Sequence, residues 1–443
     1  MYYDSNISKQ DGMKMDQIRL TAENETIQGD GVCRLDGKVT FVWGLLSGET
    51  GLCVLEKQDK KMNHARLIEL EKASNHRILP VCPYHDVCGG CALGHMTRER
   101  ELAIKEQRVM ECLGRLGNSP KGSYHLEPIT GGEREAYRGK VEVIYRNGFG
   151  YVGRNGKFCL VKNCLLMKPE TRRLLDAIEK MNPQGLRGAV IRTNYRGESM
   201  LVLSHDGKLG KVKGEALAEY GVTSLWALKQ KPRMTHALDG EITHLWGATT
   251  IEEEICGLTF KLSPKSFFQI NRDIAAKLYT KAVSLAGLKS RETAIDAYCG
   301  VGTIGMLAAG AAGQVFGVEL IPDAVEDAKL AAKKHGIENI DFVAGRCEVI
   351  LPKDEALKKA SVIFLDPPRK GCGRELLDAI AKVGIPRVVY VSCDPATLAR
   401  DVAIMKEWGY TLTNVAPYDM FPQTGHVETV VLLSREKVDD CNR

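Results

Sequence analysis

The chain has 443 residues, 44% hydrophobic and 26% charged, with 61 Lys and Arg against 56 Asp and Glu for a formal net charge of +5. That length suits two or three domains, and the composition excludes a low-complexity or collagen-like chain. No run approaches the ~18 apolar residues of a membrane span, and the opening "MYYDSNISKQDGMKMD" lacks a signal-peptide core, so a cytoplasmic protein with reduced thiols is expected.

Residues 1 to about 15 read as a frayed end. From about 16 to 72, short alternating runs ("QIRLTAE", "VTFVWGLL", "GLCVLEKQ") are broken by "GDG", "DGK" and "SGET", the pattern of a small β-barrel. Then "VCPYHDVCGGCALGH" places Cys82, Cys88 and Cys91 in a C-x5-C-x2-C array, which calls for a fourth ligand. Cys164 is preferred over Cys159 because it lies beyond the polar "VKN" turn, and His85 or His95 are substitutes. Zinc and an iron–sulfur cluster both accept such thiolates, and spacing alone leaves the two open. Cys33, Cys53, Cys112, Cys256, Cys347 and Cys372 lack partner spacing and are assigned no function.

"TRERELAIKEQRVMECLGRLG" (97–117) has helical periodicity. Residues 124 to about 255 mix strand-like runs with one helix near 169–181. The domains are therefore expected at 1–72, 73–255 and 256–443. From about 290, strands and helices alternate: "TAIDAY", a helix from 303, "QVFGVEL", a helix over 322–335, "IDFVAG", "SVIFLDPP", a helix over 374–383, "RVVYVS", a helix over 396–408, then "YTLTNVAPYDMF" and "HVETVVLLSR". Such units build a doubly wound α/β sheet. The last two strands are joined by a connection too short for a crossover, so the terminal strand is expected to run antiparallel.

In "AIDAYCGVGTIGMLA", Gly300, Gly302 and Gly305 form a turn that lets a ligand approach backbone amides, and Glu319 ends the next strand where ribose hydroxyls bind. The loop alone fits either NAD or S-adenosylmethionine. Asp296 tips the reading to the latter: it suits the amino group of a methionine moiety and repels a pyrophosphate. Asp366, in "FLDPPRKG", and Cys393, in "VVYVSCDPATLARD", end later strands on the same edge. His426 and Glu428, two apart in "GHVETVVLL", are expected on one face of a strand. A thiol, a methyl donor and a carboxylate base together suit methylation of a pyrimidine at carbon 5.

"SFFQIN" (266–271), "DAYCGVGTIG", "FLDPPRKG", "VSCDPATLARD" and "FPQTGHVET", in order, resemble the RNA uracil-5 methyltransferase family over nearly the whole chain. The resemblance implies a seven-stranded Rossmann-like methyltransferase sheet. It implies Cys393 as nucleophile and Glu428 as base, with Gln269, Tyr298, Glu319 and Asp366 lining the donor site. It favours a [4Fe–4S] cluster on Cys82, Cys88, Cys91 and Cys164 of a central α+β domain, and an OB-like TRAM barrel at the N-terminus. By analogy the partner is RNA, 23S ribosomal RNA ahead of transfer RNA, and the protein a monomer. Arg98, Arg100, Arg108, Arg138 and Lys140 are candidate phosphate contacts. Asp394 stands where the family often has Asn, and Gln423 where it often has His. Two rivals remain: an NAD-linked oxidoreductase, which leaves Cys393 and Glu428 idle, and a non-catalytic iron–sulfur RNA-binding protein.

Overall fold

The structure, a computed structural model, describes residues 17–231 and 237–435; the frayed end expected at 1–15 lies outside them. The chain divides into two compact units, one holding the residues up to Val81 with Cys91–Glu101, the other Cys82–Gly90 and everything from Leu102 on.

The first unit is a six-stranded sheet curled into a half-barrel, its strands Gln17–Thr21, Thr50–Gln58, Met62–Lys72, Lys38–Trp43, Asp30–Leu35 and Asn24–Glu25 in spatial order. Alternating residues turn inward, and Leu20, Cys33, Val42, Cys53, Ala65 and Leu67 form its core. Arg100 pairs with Glu25 and Arg98 with Glu101 at 3.0 Å. These two candidate phosphate contacts are therefore held by carboxylates within the unit.

The second unit contains two large sheets. The first runs Phe158–Leu160, Phe149–Val152, Lys140–Tyr145, Leu186–Thr193, Ser199–His205, Val222–Gln230, Gly240–Gly247. Helix Pro169–Met181 covers it, burying Leu174, Leu175 and Ile178 against Val141, Ile191 and Leu201. The second is the doubly wound sheet, with strands β1 (Thr293–Ala297), β2 (Gln314–Glu319), β3 (Ile340–Ala344), β4 (Val362–Leu365), β5 (Arg387–Ser392), β6 (Thr411–Tyr418) and β7 (Glu428–Ser434). Their order is β3-β2-β1-β4-β5-β7-β6. β1 to β5 are parallel and β7 is antiparallel to both neighbours, as the short connection requires. Helices α1 (Arg272–Ala286), α2 (Thr303–Ala309), α3 (Pro322–Lys334), α4 (Cys347–Ile350), α5 (Arg374–Val383) and α6 (Pro395–Glu407) accompany the strands.

Three details depart from the sequence reading. A two-residue strand, His125–Leu126, adds an eighth member beside β6. β7 begins at Glu428, so His426 lies in the preceding loop and the two do not share a strand face. Helix α1 has no counterpart in the sequence reading, although Asn271 caps its start and Gly287 ends it with φ 54°. Of the six cysteines assigned no function, five are buried and Cys256 is partly exposed. Among the described residues no helix is long and apolar enough to cross a membrane.

Candidate active site

The glycine loop is built by close approach. Asp296, in β1, is 1% exposed, and its Oδ2 accepts the Gly305 N–H at 2.7 Å, tying α2 to the strand. A Cβ on Gly305 would meet that oxygen at 3.0 Å, so the third glycine is needed for packing. Gly300 (φ 55°) and Gly302 (φ 84°) take left-handed conformations, and so does Tyr298 at φ 63°, which costs energy in a residue with a side chain. Open space surrounds the Cβ position of Gly300. Glu319, at the end of β2, accepts the Gly300 N–H at 3.1 Å and the Ile321 N–H at 2.9 Å.

The other Asp296 oxygen, Oδ1, is buried without a hydrogen-bond partner. Burial, with the charges of Asp366 and Glu319, pushes this carboxyl up to about 8. A buried acceptor left open beside a glycine loop fits an ammonium donor, which is what the methionine end of S-adenosylmethionine presents.

β5 and β7 place the thiol and the carboxylate. Ser392 pairs with Thr429, so the register carried one residue past the strand end sets Cys393 opposite Glu428. Glu428 is 5% exposed; burial, then the charge of Asp366, raises its carboxyl to about 8 against an opposing pull from Arg369. Cys393 is half-buried and its thiol is pushed up to about 11 by burial and the Glu428 charge, again opposed by Arg369. Asp366 is raised to about 7 by burial. Arg369 is thus the cation that favours both charged forms, a role the sequence reading did not assign although it quoted "FLDPPRKG".

Tyr279 of α1 was also missed. Its side chain is 7% exposed, and its phenol is raised by burial and by the charges of Asp366, Glu428 and Asp296. One buried hydroxyl therefore senses the Asp366 loop and the ends of β1 and β7. Nothing in the local pattern of α1 distinguishes Tyr279 from an ordinary core residue.

Surrounding contacts fix these groups. The loop 419–427, which delivers Glu428, is held by a buried ion pair between Asp419 and Lys105, by Asn271 Nδ2 donating to Met420 O at 3.1 Å, and by Tyr137 Oη donating to Pro422 O at 3.2 Å. Gln423 donates to Arg134 O at 2.9 Å. Asp394 caps α6, accepting the Ala396 and Thr397 N–H groups at 2.8 and 3.0 Å ahead of Pro395. Asp and Asn cap helices about equally well, which accounts for Asp at this position.

The cysteine array lies apart from this edge in sequence. Among the described residues its cysteines form no disulfide. Cys82, Cys88 and Cys164 belong to the second unit; burial first, then the Cys164 charge, raises both Cys82 and Cys88, and the Cys88 charge adds to the rise of Cys82. The Gly90 N–H donates to Cys88 Sγ at 3.4 Å. Cys91 lies in the first unit. Among the described residues no three His, Cys, Asp or Glu side chains stand in position to share one metal ion. An iron–sulfur cluster makes a different demand, since its thiolates bind separate irons.

The sequence pattern of the tRNA (Uracil-5-)-methyltransferase family matches residues 251–436. An uncharacterized RNA methyltransferase of Clostridium acetobutylicum is 37% identical over 438 residues, covering 92% of this chain and 94% of its own. The chain belongs to the RNA (uracil-5-)-methyltransferase family. A second relative, an uncharacterized RNA methyltransferase of Oceanobacillus iheyensis, is 34% identical over 443 residues, covering 94% of this chain and 96% of its own. Among solved structures, the Pyrococcus abyssi tRNA (uracil-54, C5)-methyltransferase in complex with S-adenosyl-L-homocysteine superposes with a TM-score of 0.74 over 94% of this chain and 100% of its own, at 23% identity. That likeness establishes the fold. The methyltransferase transfers a methyl group from S-adenosylmethionine to carbon 5 of uracil in RNA, and the oxidoreductase and non-catalytic readings are set aside.

Proposed function

We propose that Cys393 is the nucleophile and Glu428 the base of this reaction, and that the substrate is 23S ribosomal RNA. The observation that carries the catalytic assignment is the β5–β7 register, which sets the thiol and the carboxylate opposite each other where two ligand-binding loops end. The Cys393 thiolate forms a bond to carbon 6 of uracil, and the displaced electron pair makes carbon 5 nucleophilic. S-adenosylmethionine supplies the methyl group and leaves as S-adenosylhomocysteine. The Glu428 carboxylate then takes the carbon-5 proton, the carbon–sulfur bond breaks, and the thiolate is released.

Asp296 Oδ1 receives the donor's ammonium, Glu319 the ribose hydroxyls, and Gly300 and Gly302 let the backbone approach. Gln269, Tyr298 and Asp366 line the same space. Arg369 favours the charge that develops on the thiol and the base, and the Asp366 charge opposes it. Phe267, 76% exposed beside Gln269, offers a face on which an unstacked base can rest. The cysteine array is proposed to carry a [4Fe–4S] cluster with a structural or RNA-contacting role. The choice of 23S RNA rests on the resemblance, in which barrel and cysteine array occur together.

Labelled methyl donor supplied with unmodified ribosomal and transfer RNA tests the target. Label at discrete uridines of 23S RNA is expected, and label confined to transfer RNA overturns that assignment. With 5-fluorouracil in the RNA, Glu428 has no proton to remove, so a covalent adduct on Cys393 accumulates. An active enzyme that forms no such adduct rules out the thiol mechanism.

A further inference from the structure

A cavity of about 70 Å³ lies in the second unit, walled by Lys140, Lys168, Arg192, Glu253, Gln269 and the first residues of α1. Lys140 pairs with Glu142 at 2.8 Å, whereas Arg192 and Lys168 form no ion pair among the described residues. Arg192, in strand Leu186–Thr193, is 6% exposed, yet its one hydrogen bond runs from Nη2 to Ser266 O at 2.7 Å. Among the described residues the remaining guanidinium N–H groups meet no acceptor. Lys168 gives its ammonium to two carbonyls, Thr193 O at 3.3 Å and Asn194 O at 3.2 Å, and to no carboxylate. Arg272 meets only the exposed Asp273, at 3.6 Å.

The one buried carboxyl in the wall, Glu253, acts on Arg192 and Lys168 through space without pairing directly with either. It accepts the Tyr195 and Glu254 N–H groups at 3.2 and 3.0 Å, makes no ion pair, and is raised by burial toward its neutral form. Burying a guanidinium without a counter-ion is costly, and the cost is recovered when an anion enters. The N-terminus of α1, fifteen residues long, adds its positive dipole end to the same wall. Among residues walling the cavity, then, two cations without carboxylate partners and a helix start converge on a space about the size of one tetrahedral anion.

We propose that this cavity binds a phosphodiester of the RNA substrate, from a nucleotide close to the target uridine. The proposal rests on the reading above in one respect: Gln269 forms part of the cavity wall and is the residue proposed to line the donor site, so a phosphate held here lies next to the methyl-transfer site. Of the substrate's groups, phosphates are the anions that recur at every nucleotide, and holding one backbone point fixes which base can be turned toward Cys393. The carboxylate of the methyl donor shares this chemistry, and the test separates the two.

Binding of unmodified ribosomal RNA is measured against salt concentration for wild type, Lys168→Gln and Arg272→Gln, alongside S-adenosylhomocysteine affinity and thermal melting. The expected result is RNA binding weakened about tenfold, with the slope of log affinity against log salt reduced by about 0.7–0.9, and S-adenosylhomocysteine affinity retained. Unchanged RNA affinity and slope overturn the proposal. Weakened S-adenosylhomocysteine binding with unchanged RNA binding also overturns it, in favour of the donor carboxylate. Should Lys168→Gln fail to fold, Arg272→Gln, whose side chain is 40% exposed, carries the same readouts. The Cys393 reading is judged separately, by whether wild-type protein labels uracil.

Discussion

At the residue scale, the site is a group of carboxyls and a thiol whose charges oppose one another. Asp296 and Glu428 are raised to about 8, Asp366 to about 7 and Cys393 to about 11, in each case first by burial. Glu428 and Cys393 must both lose a proton to act, so single-turnover methylation is expected to rise from pH 6 through pH 8. Stability has the opposite sign. Folded Glu428 keeps its proton up to about 8, whereas the unfolded carboxyl releases it in the ordinary range near 4.5. The folded chain therefore binds more protons between those values and loses stability as pH rises through them. Glu428→Gln is expected to lower turnover about 10²–10⁴-fold while allowing the Cys393 adduct to form on normal RNA. Its melting temperature relative to wild type should climb from pH 5 to pH 8.5; a constant difference would show that Glu428 is not buried in its charged form.

At the element scale, α6 does more than follow the nucleophile. Its first turns grip the loop that bears Asp366 and Arg369. Thr397 Oγ1 donates to Arg369 O at 3.2 Å, and Arg400 donates to Lys370 O at 2.9 Å. Asp401, 0% exposed, accepts the Cys372 N–H at 2.9 Å and the Tyr390 O–H at 2.7 Å. The segment "CDPATLARD" thus carries the thiol at one end and fixes its balancing cation from the other. Asp401→Asn is expected to cost about 1–3 kcal/mol of stability. Because Arg369 then drifts, alkylation of Cys393 should also slow at neutral pH. An unchanged alkylation profile in a folded variant would show that α6 does not position Arg369.

At the scale of the whole molecule, the half-barrel and the sheet-rich second unit each have their own core. Three of the four array thiols lie in the second unit, and Cys164 is the one that influences both Cys82 and Cys88. Protein purified without oxygen is expected to contain about four irons per chain and absorb in the visible, a signal lost in Cys164→Ser and retained in Cys159→Ser. Iron retained in Cys164→Ser would reassign the fourth ligand.

The sequence by itself determined the alternation that winds the catalytic sheet, the antiparallel last strand, the glycine loop and the strand-end positions of Asp366 and Cys393. These were legible because strand, turn and helix periodicities are local, and the ends of successive parallel strands fall on one edge. Tertiary structure decided the rest. It set Cys393 opposite Glu428 through a register between strands far apart in sequence, and it moved His426 off that strand. It brought Tyr279 and Arg369 to the carboxyls, left Asp296 Oδ1 open, and turned Arg98 and Arg100 toward carboxylates. Such partners are chosen by packing between segments, and a side chain that meets its neighbour only after folding leaves no periodic mark in the chain.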